Sequence, residues 1–205
     1  MSERTIVVVS AGLGRPSSTR LLADRLAGAT VTELDARGVT ATVETVELRD
    51  VAHEIVNTML TGFATGALAE VMDKVTRADG LVAVTPIFTT TYSGLFKSFV
   101  DVIDKDALVG MPVLLGATGG TARHSLALEY SVRPLLTYLR ADVATTSVFA
   151  ATEDWAGETD TVNPLPNRIA RAGRELAEMV AARENAGPAD LYGDVPSFDQ
   201  MFRNL

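Results

Sequence analysis

The stretch VVVSAGLGRPSSTRLLADRL, Val7 to Leu26, decides the fold. A hydrophobic run passes into a loop with two glycines and a proline, then into three hydroxyl residues, Ser17, Ser18 and Thr19, and a helix. With the residues before it, the run reads TIVVVS (Thr5–Ser10), nearly all β-branched and without alternation. A strand of that kind is buried on both faces, as in parallel sheets. Ser17, Ser18 or Thr19 can cap the helix. Ala23, Ala27, Val31 and Leu34 mark its inner face, with Leu22 and Leu26 beside them. Arg37-Gly38 supplies the stop.

Outward from this stretch the chain alternates. Val39–Leu48 reads as a second strand, partly alternating and so less buried. Asn57–Asp79 predicts an amphipathic helix with Leu68, Val71, Met72 and Val75 inside. GLVAVTP (Gly80–Pro86) is a third strand stopped by its proline. A helix follows from about Gly94, with Leu95, Phe99 and Ile103 on one face. MPVLLGATGG (Met111–Gly120) is the fourth strand, Arg123–Leu139 a helix, DVATTSVFA (Asp142–Ala150) the fifth strand and Leu165–Arg183 the last helix. Five strands alternating with helices predict an α/β fold with a parallel sheet and right-handed crossovers. Five is the strand count of the flavodoxin-like three-layer sandwich, strand order 2-1-3-4-5, which is the expected arrangement. Residues 1–185 are expected to form a single domain and 186–205 an extended C-terminal tail.

Composition narrows the function. At 47% hydrophobic and 21% charged, the chain lies in the ordinary globular range. A net charge of −8 argues against nucleic acid as a partner, because phosphates require a basic face. No apolar run is long enough to span a bilayer, and MSERTIVVVS starts a strand, not a signal peptide. The expected compartment is the cytoplasm. There is no cysteine, which removes disulfides, thiolate metal sites and cysteine catalysis. His53 and His124 are the only histidines, and neither sits in a metal-spaced cluster, so no metal site is expected. No G-x-S-x-G elbow supports a hydrolase triad.

In such a sheet the ligand lies beyond the carboxyl ends of the strands, at the switch point. Three loops are therefore read for chemistry. In Ser10–Thr19, backbone N–H groups at a helix start attract an anion, Gly12 lets the backbone approach closely, and Ser10, Ser17, Ser18 and Thr19 offer hydroxyls. Arg15 or Arg20 adds charge. The Walker and dinucleotide glycine patterns are both absent; a hydroxyl-rich loop suits a terminal monophosphate, with simple helix capping as the alternative. The second loop, TPIFTTTYSGLFKSFVD, sets Pro86, Ile87 and Phe88 beside Thr89, Thr90, Thr91 and Tyr92. This apolar surface with polar edges suits a flat heteroaromatic ring, or serves only as a strand-to-helix turn. In the third loop, GATGGTARH, Gly119 and Gly120 allow close approach to a ring edge, and Thr118 and Thr121 offer donors.

Together, GLGRPSST (Gly12–Thr19), PIFTTTYSGLFK (Pro86–Lys97) and TGGTARHSL (Thr118–Leu126) resemble the NADPH-dependent FMN reductase family from about Arg4 to Phe149. That family has a phosphate loop G-S-x-R-x-x-S-x-N, a ring loop P-x-Y-N-x-x-x-P-G before a helix with L-K, and a glycine pair after strand 4. Here Leu13 replaces the first family serine, Thr19 the asparagine, Phe88 the tyrosine, Thr89 the second asparagine, and Ser93 the proline before Gly94. The resemblance implies FMN held by Ser10, Gly12, Leu13, Arg15 and Ser17–Thr19, by Pro86–Tyr92 and by Thr118–Thr121. It implies hydride transfer from NADPH or NADH to that FMN, with no side chain acting as acid or base. It also implies reduced flavin passed on, as to a monooxygenase, and a homodimer or homotetramer. Three other readings stand beside it: a quinone or azo reductase with tightly held FMN, a flavodoxin-like electron carrier, and a sugar-phosphate or nucleotide-binding module. The threonine-rich ring loop and the 6% aromatic content favour an open flavin face over a carrier. Trp155, the sole tryptophan, lies in a long polar segment and either covers a ligand, meets a partner or packs on the surface.

Overall fold

Ile6 to Val9 are at most 1% exposed because β1 (Glu3–Ser10) lies between β2 (Thr40–Glu47) and β3 (Gly80–Phe88), parallel to both. The computed structural model describes residues 3–156 and 162–183; the expected tail, 186–205, lies outside the described residues. Beyond β3 comes β5 (Pro112–Gly119), again parallel. Between them in sequence, β4 (Thr91–Tyr92) folds back antiparallel on the end of β3. The fifth sheet position is shared by β6 (Asp142–Val143) and β7 (Val148–Ala151), both parallel to β5. The order is thus 2-1-3-4-5 by sheet position, but with seven strands where the sequence predicts five.

Each difference has a local cause. The expected strand Asp142–Ala150 breaks at its centre because side chains take its backbone groups. The Glu175 carboxylate accepts from the Thr146 N–H at 2.6 Å, and Arg133 donates to the carbonyls of Ala144 and Thr145 at 2.9 and 3.0 Å. Pro86 does not stop β3. The last pair of β3 with β1 is Ser10↔Val84, so Pro86 stands where that neighbour has ended, an edge position that tolerates proline.

The helices cover both faces. α1 (Ser18–Asp35) and α6 (Leu165–Ala182) pack on Ile6, Val8, Val82, Val84 and Leu114. The other face, with Val7, Val9, Leu81, Ala83 and Leu115, is covered by α2 (Ala52–Thr61), α3 (Gly66–Arg77), α4 (Gly94–Val102) and α5 (Arg133–Tyr138). Alternate strand residues therefore feed alternate cores, the period-two signature of a three-layer sandwich. Within α1 the inner face is as expected except that Thr30, bonded to the Leu26 carbonyl at 2.9 Å, takes the buried place expected for Val31.

Two helix readings need correction. Asn57–Asp79 is not one helix: α2 ends at Gly62 (φ 82°) and α3 starts at Gly66 (φ 59°), with the two bent by 89°. Arg123–Leu139 is likewise interrupted. A 3₁₀ turn (Ala122–His124) and a π-helical turn (Leu128–Val132) precede α5. Pro134 has no N–H and its ring crowds the carbonyl four residues back, so a regular helix cannot pass through it; the wider turn accommodates the break. No single helix among the described residues is long and apolar enough to cross a membrane.

α1 and α6 meet at Gly173. A Cβ there would lie 2.7 Å from Ala29 Cβ and 2.9 Å from the Thr30 backbone nitrogen. Alanine raises helix propensity by about 1 kcal/mol, but backbone atoms cannot yield as a side-chain tip does. Gly173→Ala is expected to lose about 1–3 kcal/mol net, read by urea unfolding. A gain in stability would mean that the two helices separate freely.

Candidate functional site

The first wall of the site is the start of α1. Ser17 is extended (φ −123°) and its hydroxyl accepts the Arg20 N–H at 3.2 Å, so it is the helix cap. Gly12 is required by this arrangement: a Cβ on it would lie 2.1 Å from Ser17 Oγ. Thr19 and Thr118, both buried, share a hydrogen bond of 2.8 Å that ties α1 to the end of β5.

The charges around this loop are already matched. Arg15 is exposed and pairs with Asp50 at 3.0 Å. Arg20 pairs with Asp24 at 2.8 Å and Glu47 at 2.9 Å, and its hydrogen bond to Asp24 is the main cause of a pKa raised above the ordinary arginine value. Arg49 grips the Gly14 carbonyl and pairs with Glu47. What the loop presents to a ligand is therefore helix-terminal N–H groups and hydroxyls.

The second wall is the end of β3 and its hairpin. Buried Thr85 accepts the Ser93 N–H and donates to the Pro86 carbonyl, both at 3.0 Å, clamping the hairpin base. Ser93 then caps α4 through the Phe96 N–H. Thr89 (φ 49°) and Thr90 (φ 74°) form the tip, both in the left-handed region. Two-residue hairpins require that conformation, but asparagine and glycine adopt it cheaply whereas threonine does not. The third wall is Thr118–Gly120. Gly119 packs against the interior: a Cβ there would meet Phe149 Cζ at 2.8 Å. Its glycine is explained by Phe149, not by the close approach to a ring that the sequence led us to expect of both glycines. Gly120 has nothing within 4 Å of its would-be Cβ.

The three walls enclose a cleft of about 440 Å³. Of the residues expected from sequence, it is lined by Leu13, Ser17, Ser18, Thr19, Pro86, Ile87, Phe88, Thr118, Gly119 and Gly120. The others do not line it. Ser10 is fully buried, its hydroxyl without a hydrogen-bond partner among the described residues. Gly12 supports the cap, and Arg15 turns to Asp50. Thr89 and Thr90 form the hairpin tip, where Thr91 pairs with Phe88, and Tyr92 packs against Phe96. Thr121 caps the following 3₁₀ turn by accepting the Arg123 N–H at 3.0 Å.

Sequence reasoning missed Gly14, Pro16, Ala150 and Thr152, which also line the cleft, as does Trp155, for which covering a ligand was one of three open readings. Ala150 and the residues after it arrive because β7 runs beside the end of β5, Gly119↔Ala151. The sole tryptophan was the available signal. Asp154 accepts the Ala151 N–H at 2.8 Å and pairs with Arg168 of α6, which also donates to the Phe149 carbonyl at 2.6 Å. These bonds fix the 3₁₀ turn Glu153–Trp155.

A sequence model of the family described as "NADPH-dependent FMN reductase" matches residues 4–156. "FMN reductase (NADPH)" of Pseudomonas aeruginosa is 34% identical over 87% of this chain and 93% of its own. Among solved structures, an oxidoreductase from Corynebacterium diphtheriae superposes with a TM-score of 0.84 at 44% identity, covering 89% of this chain and all of that one. An NADH:FMN oxidoreductase, EmoB, in its apo form gives 0.77 at 26% identity, over 90% and 94% of the two chains.

The hairpin tip yields a prediction. A left-handed non-glycine residue costs roughly 1–2 kcal/mol, partly offset by glycine's greater freedom when unfolded. Thr90→Gly is expected to raise stability by up to about 1 kcal/mol, seen as a higher midpoint in urea. A lower midpoint would show that the threonine side chain contributes more than its backbone costs.

Proposed function

The chain belongs to the NADPH-dependent FMN reductase family, and we propose that it binds FMN, and beside it the nicotinamide nucleotide, in the cleft at the carboxyl ends of β1, β3 and β5. It is an oxidoreductase that transfers hydride from NADPH or NADH to FMN. The observation that carries the placement is that three chemically distinct surfaces meet in one cleft, as the three parts of FMN require.

The start of α1 offers the phosphate about half a unit of positive charge and free N–H groups, with Ser18 exposed at the first helical position. Pro86, Ile87 and half-exposed Phe88 offer an apolar face to the ring. The backbone at Thr118–Gly120 offers donors to its polar edge, where negative charge collects on reduction. Bound FMN supplies the hydride acceptor. The chain's own part is to bind and orient, since no acidic, basic or histidine side chain is among the described residues lining the cleft.

Arg15, Arg20 and Arg49 all face carboxylates, so the phosphate is held without a dedicated cation. That favours FMN as an exchangeable substrate, released reduced to a separate acceptor such as a flavin-dependent monooxygenase. Homodimer or homotetramer formation is supported by Leu126, Tyr130 and Tyr138, which are 60%, 78% and 81% exposed on the segment after the third loop. Dependence on NAD(P)H goes with a cytoplasmic location.

The test is steady-state NADPH or NADH oxidation with catalytic protein and excess FMN. Turnover well above a protein-free control is expected. Bound FMN that neither nucleotide reduces would overturn the reductase reading. For the phosphate, Ser18→Ala is the clean variant, because Ser17 carries the cap. A charge-assisted hydrogen bond is worth roughly 1.5–3 kcal/mol, so KM for FMN should rise about tenfold or more, while riboflavin, which lacks the phosphate, is little affected. Equal loss for both flavins would place the phosphate elsewhere.

A further inference from the structure

We propose that Trp155 is a flavin-contacting residue that packs against the ribityl-phosphate end of FMN; this rests on the placement of FMN in the cleft. No motif of the three loops includes it.

Three observations carry the inference. Trp155 lines the same cleft as Ser17, Ser18 and Thr19. It packs, partly buried, against the core on the α1 and α6 face of the sheet, whereas Ile87 and Tyr92 of the hairpin pack against the core on the other face, so it bounds the cleft on its α1 side. Its indole is also held in place. The Arg25 guanidinium, on α1, lies 5.0 Å from the ring centroid, a cation–π distance. From the other side, the Asp154–Arg168 pair fixes the turn, with Asp154 only 9% and Arg168 20% exposed.

A buried ion pair is costly to build, and this one sets the position of one short turn. An indole that is half-buried, braced by Arg25 and open to a ligand cleft is a contact surface of low entropic cost, with a large apolar area for a polyol chain to lie on. Asp154 and Arg168 are then positioning residues, acting through Trp155.

The sole tryptophan makes the test direct, because all indole emission comes from this site. FMN itself is a poor probe, since energy transfer to its ring quenches a tryptophan without contact. Ribitol 5-phosphate has no chromophore, so any change it causes is local. Its titration is expected to shift or quench the emission saturably, over the concentrations at which it displaces FMN. Trp155→Ala should raise the Kd for FMN about tenfold, and Trp155→Phe should recover most of that loss, with circular dichroism confirming the fold of each. Displacement of FMN with unchanged indole emission, or an FMN affinity indifferent to Trp155→Ala, would overturn the proposal while leaving FMN in the cleft. Failure of the wild type to bind FMN at all would instead sink the placement on which it rests.

Discussion

The cleft depends on one constraint, that β1 is hydrogen-bonded on both edges to parallel strands. β2 on one side and β3 on the other force the two connections to opposite faces, since crossovers keep one hand. α1 therefore packs on Ile6 and Val8, while the helices between β2 and β3 pack on Val7 and Val9. Where the chain leaves β1, no helix covers the sheet edge. The opening is held by few bonds: Ala11 N–H to the Val84 carbonyl at 2.9 Å, and Thr19 to Thr118 at 2.8 Å. Through the second of these, the first and third loops take up a fixed separation. A ligand that spans them meets a site formed by the sheet, not by the loops alone.

The parts of this arrangement legible in the sequence are those set by local chemistry. TIVVVS is a central strand because four consecutive apolar residues, Ile6–Val9, leave neither face of it suited to water, and Ser17 caps a helix because its hydroxyl accepts an N–H that the helix leaves open. The three loops were legible as a set, through strand counting and resemblance. What was not legible is set by distant side chains. Nothing in ATTS (144–147) says that Glu175 and Arg133 will take its backbone groups. Nothing near Arg15 says that Asp50 will hold it off the cleft. Gly119 was read as a place for close approach to a ring, yet what crowds it is Phe149, 30 residues on in a parallel strand that sequence pairing does not reveal. The break between α2 and α3 was the avoidable miss, since Gly62 and Gly66 bracket it in plain view.

The matched charges around the phosphate loop are better understood against the net charge of −8. In an acidic chain an unpaired arginine beside an anion site would give tight binding of any phosphate ester. Exposed pairs such as Arg15–Asp50 contribute little to stability, about 0–1 kcal/mol, so stability is not a sufficient reason for them. Their effect is on the field at the cleft. With the arginines neutralised, attraction for a dianion comes from the start of α1 and from hydroxyls, which act at short range and depend on fit. Such a site discriminates by shape and holds an anion less tightly, which suits the proposed role of FMN as an exchangeable substrate.

Departures from local preference cluster at the same end of the sheet. Thr89 and Thr90 occupy left-handed backbone that their β-branched side chains disfavour, and Pro86 sits inside a strand. Gly12 folds so closely on Ser17 that no other residue fits. The opposite end of the sheet holds one such residue, Arg140 (φ 58°) just before β6, and Asp79 there accepts from Arg4 and from the Thr5 N–H at 2.8 Å each. The bias toward the cleft end is expected where function and stability are served by different ends of one sheet. The hairpin places Phe88 at the cleft because β3 runs two residues past its proline and turns in two more. A looser turn with relaxed torsions would shift that ring, and the apolar wall that Phe88 gives the cleft would shift with it.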